Sequence, residues 1–248
     1  VQNPMADPYI LGVSAGATLG ATGSLFLGLG VISGFWAFVG AGGACFLVLA
    51  LSSADGKTTS VKLILSGMIV NALLTAFSNF IIAVAGDSDG MMSIKFWTMG
   101  SLSGSTYQNA AVLAGALLIC GTVILLHAQI LNAFAVGEDN ARQIGVDVKR
   151  AKLVLLIMVS MLIGVCVSIG GTIGFVGLVT PHMARMLVGP NHKRLLPASV
   201  FGGACFLMLA DLIARILLNP LELPIGVVTS FVGAIVFVVI FYQSRKEH

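Results

Sequence analysis

Long apolar segments follow one another along almost the whole chain, from Tyr9 to Tyr242. A helix needs about 20 apolar residues to cross the core of a bilayer, and about eight segments are near that length. Of the 248 residues, 57% are hydrophobic and 9% are charged, whereas a soluble domain carries about 25% charged residues. The sequence predicts an all-α fold, a polytopic transmembrane helical bundle forming one domain over residues 1–248. The predicted spans are 10–29, 34–51, 62–85, 109–128, 153–171, 175–188, 196–218 and 225–242.

The basic residues are concentrated in alternate connections between these segments. Ten of the 13 Lys and Arg residues lie in, or at the edges of, residues 52–60, 130–152, 189–194 and the C-terminal tail. Because cytoplasmic connections collect positive charge, we expect these four segments to face the cytoplasm. No basic run is dense enough to indicate nucleic-acid binding.

The longest basic connection, residues 130–152, contains the sequence GEDNARQIG. Glu138 and Asp139 precede Arg142, an order that suits the dipole of a short helix, and Gly137 and Gly145 would bound that helix. An ordinary loop at the membrane surface explains these residues. A docking helix for a cytoplasmic partner explains them too.

Ionisable residues inside apolar segments are costly and usually paired. Asp211 and Arg215 are four residues apart, so one helix face would carry both, and an ion pair within that helix is expected. Pro181 interrupts the sixth segment and predicts a kink or a broken helix. His182 and Arg185 could form a proton relay, but bonding to carbonyls freed by Pro181 is the simpler interpretation.

Motifs for catalysis or metal binding are weak. The four cysteines lie inside apolar runs without C-x-x-C spacing, which indicates small buried thiols and no disulfide or metal site; they are Cys45, Cys120, Cys166 and Cys205. Residues 12–16 read G-x-S-x-G, but a nucleophile elbow needs a strand–turn–helix context with a nearby His and acid, whereas this motif opens an apolar helix. A P-loop for ATP does not occur in the sequence.

Five motifs together resemble one family, the permeases of iron-siderophore, haem and vitamin B12 ABC importers. They occur in order and cover nearly the whole chain; they are NPMADPYILGVSAGA at 3–17, FWTMGSLSG at 96–104, GEDNARQIGV at 137–146, GFVGLVTPHMARMLVGPNHKRLLP at 174–197, and LADLIAR with LPIGVVTSFVGA across 209–234. The resemblance implies a bacterial inner-membrane permease subunit of an ATP-driven importer. Family members carry two more spans before the first motif, so the resemblance also implies that N-terminal spans are missing.

The resemblance implies roles for particular residues. The coupling helix that contacts the ATP-binding subunit would contain Gly137, Glu138, Ala141, Arg142 and Gly145. Arg215 would meet a glutamate of an extracytoplasmic substrate-binding protein, as the alternative or complement to its pairing with Asp211. A cytoplasmic gate would involve Asn3, Met5, Thr59 and Ser60, although a helix-start turn explains Asn3 and Pro4 equally well.

The resemblance further implies a second permease copy or homologue, membrane lipid around the bundle, and no cofactor bound by this subunit. ATP and Mg²⁺ would be used by the partner ATPase. The cargo would be a preformed metal chelate, namely a ferric siderophore, haem or cobalamin. A stand-alone secondary transporter or channel is the alternative, but such proteins need intramembrane ionisable groups to couple ions, and few occur here.

Overall fold

The computed structural model describes residues 12–29, 33–53, 60–85, 96–218 and 221–244, and within them it contains helices and connections but no strand. A single helical turn occupies residues 96–99. Longer helices are numbered in chain order: α1 Val13–Phe26, α2 Ser33–Ser52, α3 Ser60–Val84, α4 Tyr107–Leu126, α5 Ala128–Val136, α6 Glu138–Gln143, α7 Val148–Gly170, α8 Val176–Val188, α9 His192–Ile216 and α10 Ile225–Ser244.

Five of the described helices, α2, α3, α4, α7 and α9, are long and apolar enough to cross a membrane. Helices α1 and α8 have 14 and 13 residues, and α10 is apolar over Ile225–Val236. The all-helical membrane bundle is confirmed. The predicted count of eight spans is not.

Two helices begin earlier than their apolar runs predict because polar residues cap them. Asp147 Oδ1 accepts a hydrogen bond from the Arg150 N–H at 3.1 Å, and Asn191 Oδ1 accepts one from the Lys193 N–H at 3.0 Å. Such side chains satisfy amide groups that lack a partner in the first turn. Helices α7 and α9 therefore extend beyond their apolar segments into the basic connections.

Helices α2 and α7 pack antiparallel, which defines the two ends of the bundle. Gly34 lies against Ser168, while the Ser160 hydroxyl donates to Cys45 Sγ at 3.0 Å. The end of α2 thus lies beside the start of α7. We call this the basic end, comprising α5, α6, residues 189–191 and the first turns of α7 and α9. The opposite, far end comprises residues 96–105, 171–175 and 221–224.

Helices α1 and α2 approach each other closely through glycines. A Cβ atom on Gly16 would lie 2.5 Å from the Ala44 Cβ, and one on Gly40 would overlap the Gly16 carbonyl oxygen. In lipid, where hydrophobic burial does not drive helices together, such close contact supplies the packing energy.

Backbone hydrogen bonds join the elements of the far end. The Ser101 N–H donates to the Gly170 carbonyl at 3.0 Å, and the Ile225 N–H donates to the Gly100 carbonyl at 3.1 Å. The Leu223 N–H donates to the Ala214 carbonyl at 3.2 Å. One connected backbone network therefore links α7, α9 and α10.

Two expectations need correction. Helix α8 is continuous through Pro181, so the broken-helix alternative is wrong, and a kink there stays a prediction. Cys120 is buried and Cys45 is partly buried, but Cys166 and Cys205 are exposed on the chain. Side chains inside a membrane span can face lipid or another subunit, so an apolar sequence context does not imply burial within the chain.

Candidate functional site

The short helix α6 projects at the basic end between two glycines with special backbone geometry. Gly137, with φ 134°, separates α5 from α6, and Gly145, with φ 86°, follows α6. Residues with a Cβ rarely adopt such φ values. The predicted bounding role of both glycines therefore has a conformational basis.

Helix α6 has an inner and an outer face. Ala141 is fully buried, and its N–H donates to the Gly137 carbonyl at 3.0 Å. The Arg142 side chain is 65% exposed, and its Nη1 lies 3.9 Å from Oδ1 of Asp139, itself 94% exposed. An ion pair so exposed contributes little. Arg142 therefore remains available to a partner, whereas Ala141 packs against the rest of the protein.

Glu138 interacts with α7. Its Oε1 lies 2.5 Å from Lys152 Nζ, and the side chains are 30% and 23% exposed. The resemblance implied that Glu138 belongs to the coupling helix, which stays a prediction; the structure also shows Glu138 in an ion pair within the chain. Lys152 was missed because a separation of 14 residues across a turn gives no periodic signal.

A polar cluster at the basic end joins the connections 130–152 and 189–194. Asn132 Oδ1 accepts a hydrogen bond from the His192 N–H at 2.9 Å and lies 2.7 Å from His192 Nδ1. Asn132 Nδ2 donates to Asn191 Oδ1 at 3.2 Å. The two connections lie at the same end, as their shared basic character predicted. The cluster itself was not predicted, since its partners are about sixty residues apart.

Arg215 lies near the other end of α9. The helix rises about 1.5 Å per residue, so about 35 Å separate Arg215 from His192. Arg215 Nε donates to Asp211 Oδ2 at 2.8 Å, and the side chains are 43% and 27% exposed. The predicted pair within the helix is confirmed. Because Arg215 is partly exposed at the far end, the second prediction, contact with a binding protein, is sterically compatible with this pair.

The far end also contains a cavity of about 440 Å³ that sequence reasoning missed. Trp97 and Phe96 contribute aromatic surface, whereas Ser101, Ser103 and Glu222 contribute polar atoms. These residues come from two connections that meet only in the folded chain.

Other predicted site residues can be placed only in part. Asn3, Met5 and Thr59 lie outside the described residues, and Ser60 begins α3. Among the described residues, no group of three or more His, Cys, Asp or Glu side chains could hold a metal ion.

The apolar helices, with an exposed charged helix at one end and a partly exposed ion pair at the other, define an integral membrane protein. The FecCD transport family matches residues 1–243, and the chain belongs to this family. Its members are transport subunits and not enzymes; a separate ATPase hydrolyses ATP. The chain is thus a multi-pass membrane permease of the ABC-importer type.

Individual relatives support the assignment. An uncharacterised ABC transporter permease, YvrB of Bacillus subtilis, is 42% identical over 99% of this chain and 71% of its own length. The cobalamin import permease BtuC of Halobacterium salinarum is 39% identical over 94% of this chain and 63% of its own length. The molybdate import permease MolB of Haemophilus influenzae is 32% identical over 99% of this chain and 73% of its own length.

The fold also matches a solved structure, described as an inward-facing conformation of a metal-chelate type ABC transporter. The TM-score is 0.90 with 31% sequence identity, over 97% of this chain and 78% of that chain. The chain therefore spans about two thirds to four fifths of the proteins to which it is compared.

Proposed function

We propose that this chain is the permease subunit of a binding-protein-dependent ABC importer that translocates a metal chelate. The exposed face of α6, centred on Arg142, carries the proposal because it offers a charged contact surface at the basic end. The family membership supplies the partner class, an ATP-binding subunit.

The proposed mechanism is mechanical. ATP and Mg²⁺ bind to two partner subunits, whose closure displaces α6, and the membrane helices rock so that the pathway opens to the other side. This chain contributes the contact surface and the moving helices. The Glu138–Lys152 pair supports this role, because it would make α6 move together with α7.

The far end would receive the substrate-binding protein. Arg215 is partly exposed there and uses Nε for Asp211, so the remaining guanidinium nitrogens are the proposed donors to a carboxylate of the binding protein.

Orientation and assembly are part of the proposal. The described basic residues of the basic end would face the cytoplasm; they are Arg142, Lys149, Arg150, Lys152, Lys193 and Arg194. Together with the five long helices, α1, α8 and α10 would complete eight membrane-embedded segments. A second permease copy or homologue would cover part of the exposed apolar surface and close the pathway, with lipid around the rest.

A ferric siderophore, haem or cobalamin is the proposed cargo. The cobalamin permease and the metal-chelate transporter support a chelate. The molybdate permease supports an oxyanion as the competing cargo. Binding of a ferric siderophore, haem, cobalamin and molybdate to the cognate binding protein is compared. Selective binding of molybdate would overturn the proposal of a chelate cargo.

Uptake in proteoliposomes containing this chain, its cognate ATPase and its binding protein tests the function. We expect uptake that requires ATP and the binding protein. Uptake that continues without ATP and follows an imposed ion gradient would instead support the alternative, a secondary transporter.

A further inference from the structure

Asn132 connects two helices that the chain separates widely. It lies on α5, directly before α6, and uses both ends of its side-chain amide on the start of α9. Its Oδ1 accepts from the His192 N–H, which lacks a partner within the first turn of α9. Its Nδ2 donates to Asn191, the residue that caps the same helix. Asn132 is thus a second cap supplied from another element.

We call the contacts of Asn132 with Asn191 and His192 the Asn132 joint. Its position suggests a role in movement as well as in local stability. Only Gly137 separates α5 from α6, so a displacement of α6 acts on α5 directly. Helix α9 then extends about 35 Å to the far end, where it carries Arg215 and is bonded through Ala214 to Leu223.

A second, separate route leaves α6 through Glu138. Its ion pair with Lys152 attaches α6 to α7, and α7 reaches the far end, where the Gly170 carbonyl accepts from Ser101. The two routes meet in the backbone network of the far end. Helix α9 would therefore follow α6 through Asn132 and α7 would follow it through Glu138.

We propose that Asn132 is a positioning residue that transmits the movement of α6 to α9 during transport. The inference rests on the proposed function and deepens it. Without Asn132, α6 would still contact the ATPase, but α9 would no longer follow it at the basic end. ATP hydrolysis would then continue with less substrate moved per ATP.

The experiment compares Asn132→Leu, which keeps the side-chain size and removes all three hydrogen bonds of the Asn132 side chain, with Asn191→Asp. The aspartate retains an oxygen that accepts from Lys193 and from Asn132, and it remains a good N-cap. Both variants are reconstituted with the ATPase and binding protein. Copurification of the ATPase, ATP hydrolysis and uptake per ATP are measured.

For Asn132→Leu we expect normal copurification and hydrolysis with uptake per ATP lowered about tenfold, as loss of its three hydrogen bonds suggests. Asn191→Asp should behave like the wild type. Unchanged uptake per ATP would overturn the proposal that Asn132 transmits movement.

Loss of ATPase copurification along with uptake would also overturn it, since Asn132 would then only maintain the surface that binds the ATPase. If Asn132→Leu fails to insert, Asn132→Asp is tested instead. It keeps an oxygen that accepts from His192 but places a carboxylate against the Asn191 Oδ1 acceptor, so uptake per ATP should still fall, and an unchanged ratio overturns the proposal. A wild-type chain that does not bind the ATPase overturns the proposed function itself.

Discussion

The Nζ atom of Lys152 lies 2.5 Å from Oε1 of Glu138, so an ion pair fastens the first residue of α6 to α7. Both side chains are less than one third exposed, and burial reduces the screening that weakens surface pairs. The exposed helix is therefore attached to the bundle by Glu138, whereas Asp139 and Arg142 face outward.

Glu138→Gln should loosen α6. The change removes the charge from a partly buried, hydrogen-bonded pair, and we expect a loss of about 1–3 kcal/mol of stability. A double-mutant cycle with Lys152→Met, followed by thermal unfolding in detergent, measures the coupling between the two residues. Asp139→Asn is the matched control, because Asp139 is 94% exposed and should change stability little. If Glu138→Gln and Asp139→Asn change stability equally, the Glu138–Lys152 pair does not hold α6 on α7.

Arg142→Glu should reduce copurification of the ATP-binding subunit about tenfold, because a complementary charge becomes a repulsive one at the contact. Membrane insertion should be unaffected, since Arg142 is exposed and does not pack in the bundle. Lys149→Glu reverses a charge at the same end, on the exposed surface of α7, and should retain the ATPase. Full copurification with Arg142→Glu would count against the coupling surface.

Arg215→Glu should weaken capture of the substrate-binding protein about tenfold and reduce its salt dependence, as loss of an interfacial charge pair does. Asp211→Asn removes the negative charge beside Arg215 while keeping the side-chain size and an oxygen that can accept from Nε, and capture should be retained or strengthened. Affinity measured at several salt concentrations checks both. If Arg215→Glu leaves the affinity and its salt dependence unchanged, pairing with Asp211 is the whole role of Arg215.

Gly40→Ala should destabilise the contact between α1 and α2. The added methyl group would overlap the Gly16 carbonyl oxygen, and overpacking of this kind costs about 1–3 kcal/mol. Gly42 lies in the same helix with nothing within 4 Å of an added Cβ, so Gly42→Ala should be neutral or slightly stabilising through helix propensity. Melting temperatures in detergent compare the two. A stable Gly40→Ala variant would show that α1 and α2 are less tightly packed than described.

Local features of the sequence predicted much of the bundle. The runs that became α2, α3, α4, α7 and α9 were recognisable because the cost of placing polar residues in lipid acts on each segment separately. The pair of Asp211 and Arg215 follows from helical spacing alone. The two glycines around α6 were predicted because few other residues tolerate such turns.

Contacts between helices could be identified only from the folded chain. The partners of Glu138 and Asn132, the burial of Ala141 and the exposure of Cys166 and Cys205 all depend on which helices are neighbours and how each is rotated. Periodicity records the faces of one helix, and an apolar sequence looks the same whether it faces lipid or protein. The sequence alone thus determined a membrane bundle with a charged segment at one end. Only tertiary structure decided that Glu138 turns inward, that Arg142 turns outward, and that Asn132 joins this segment to α9, since each depends on contacts between residues that are distant along the chain.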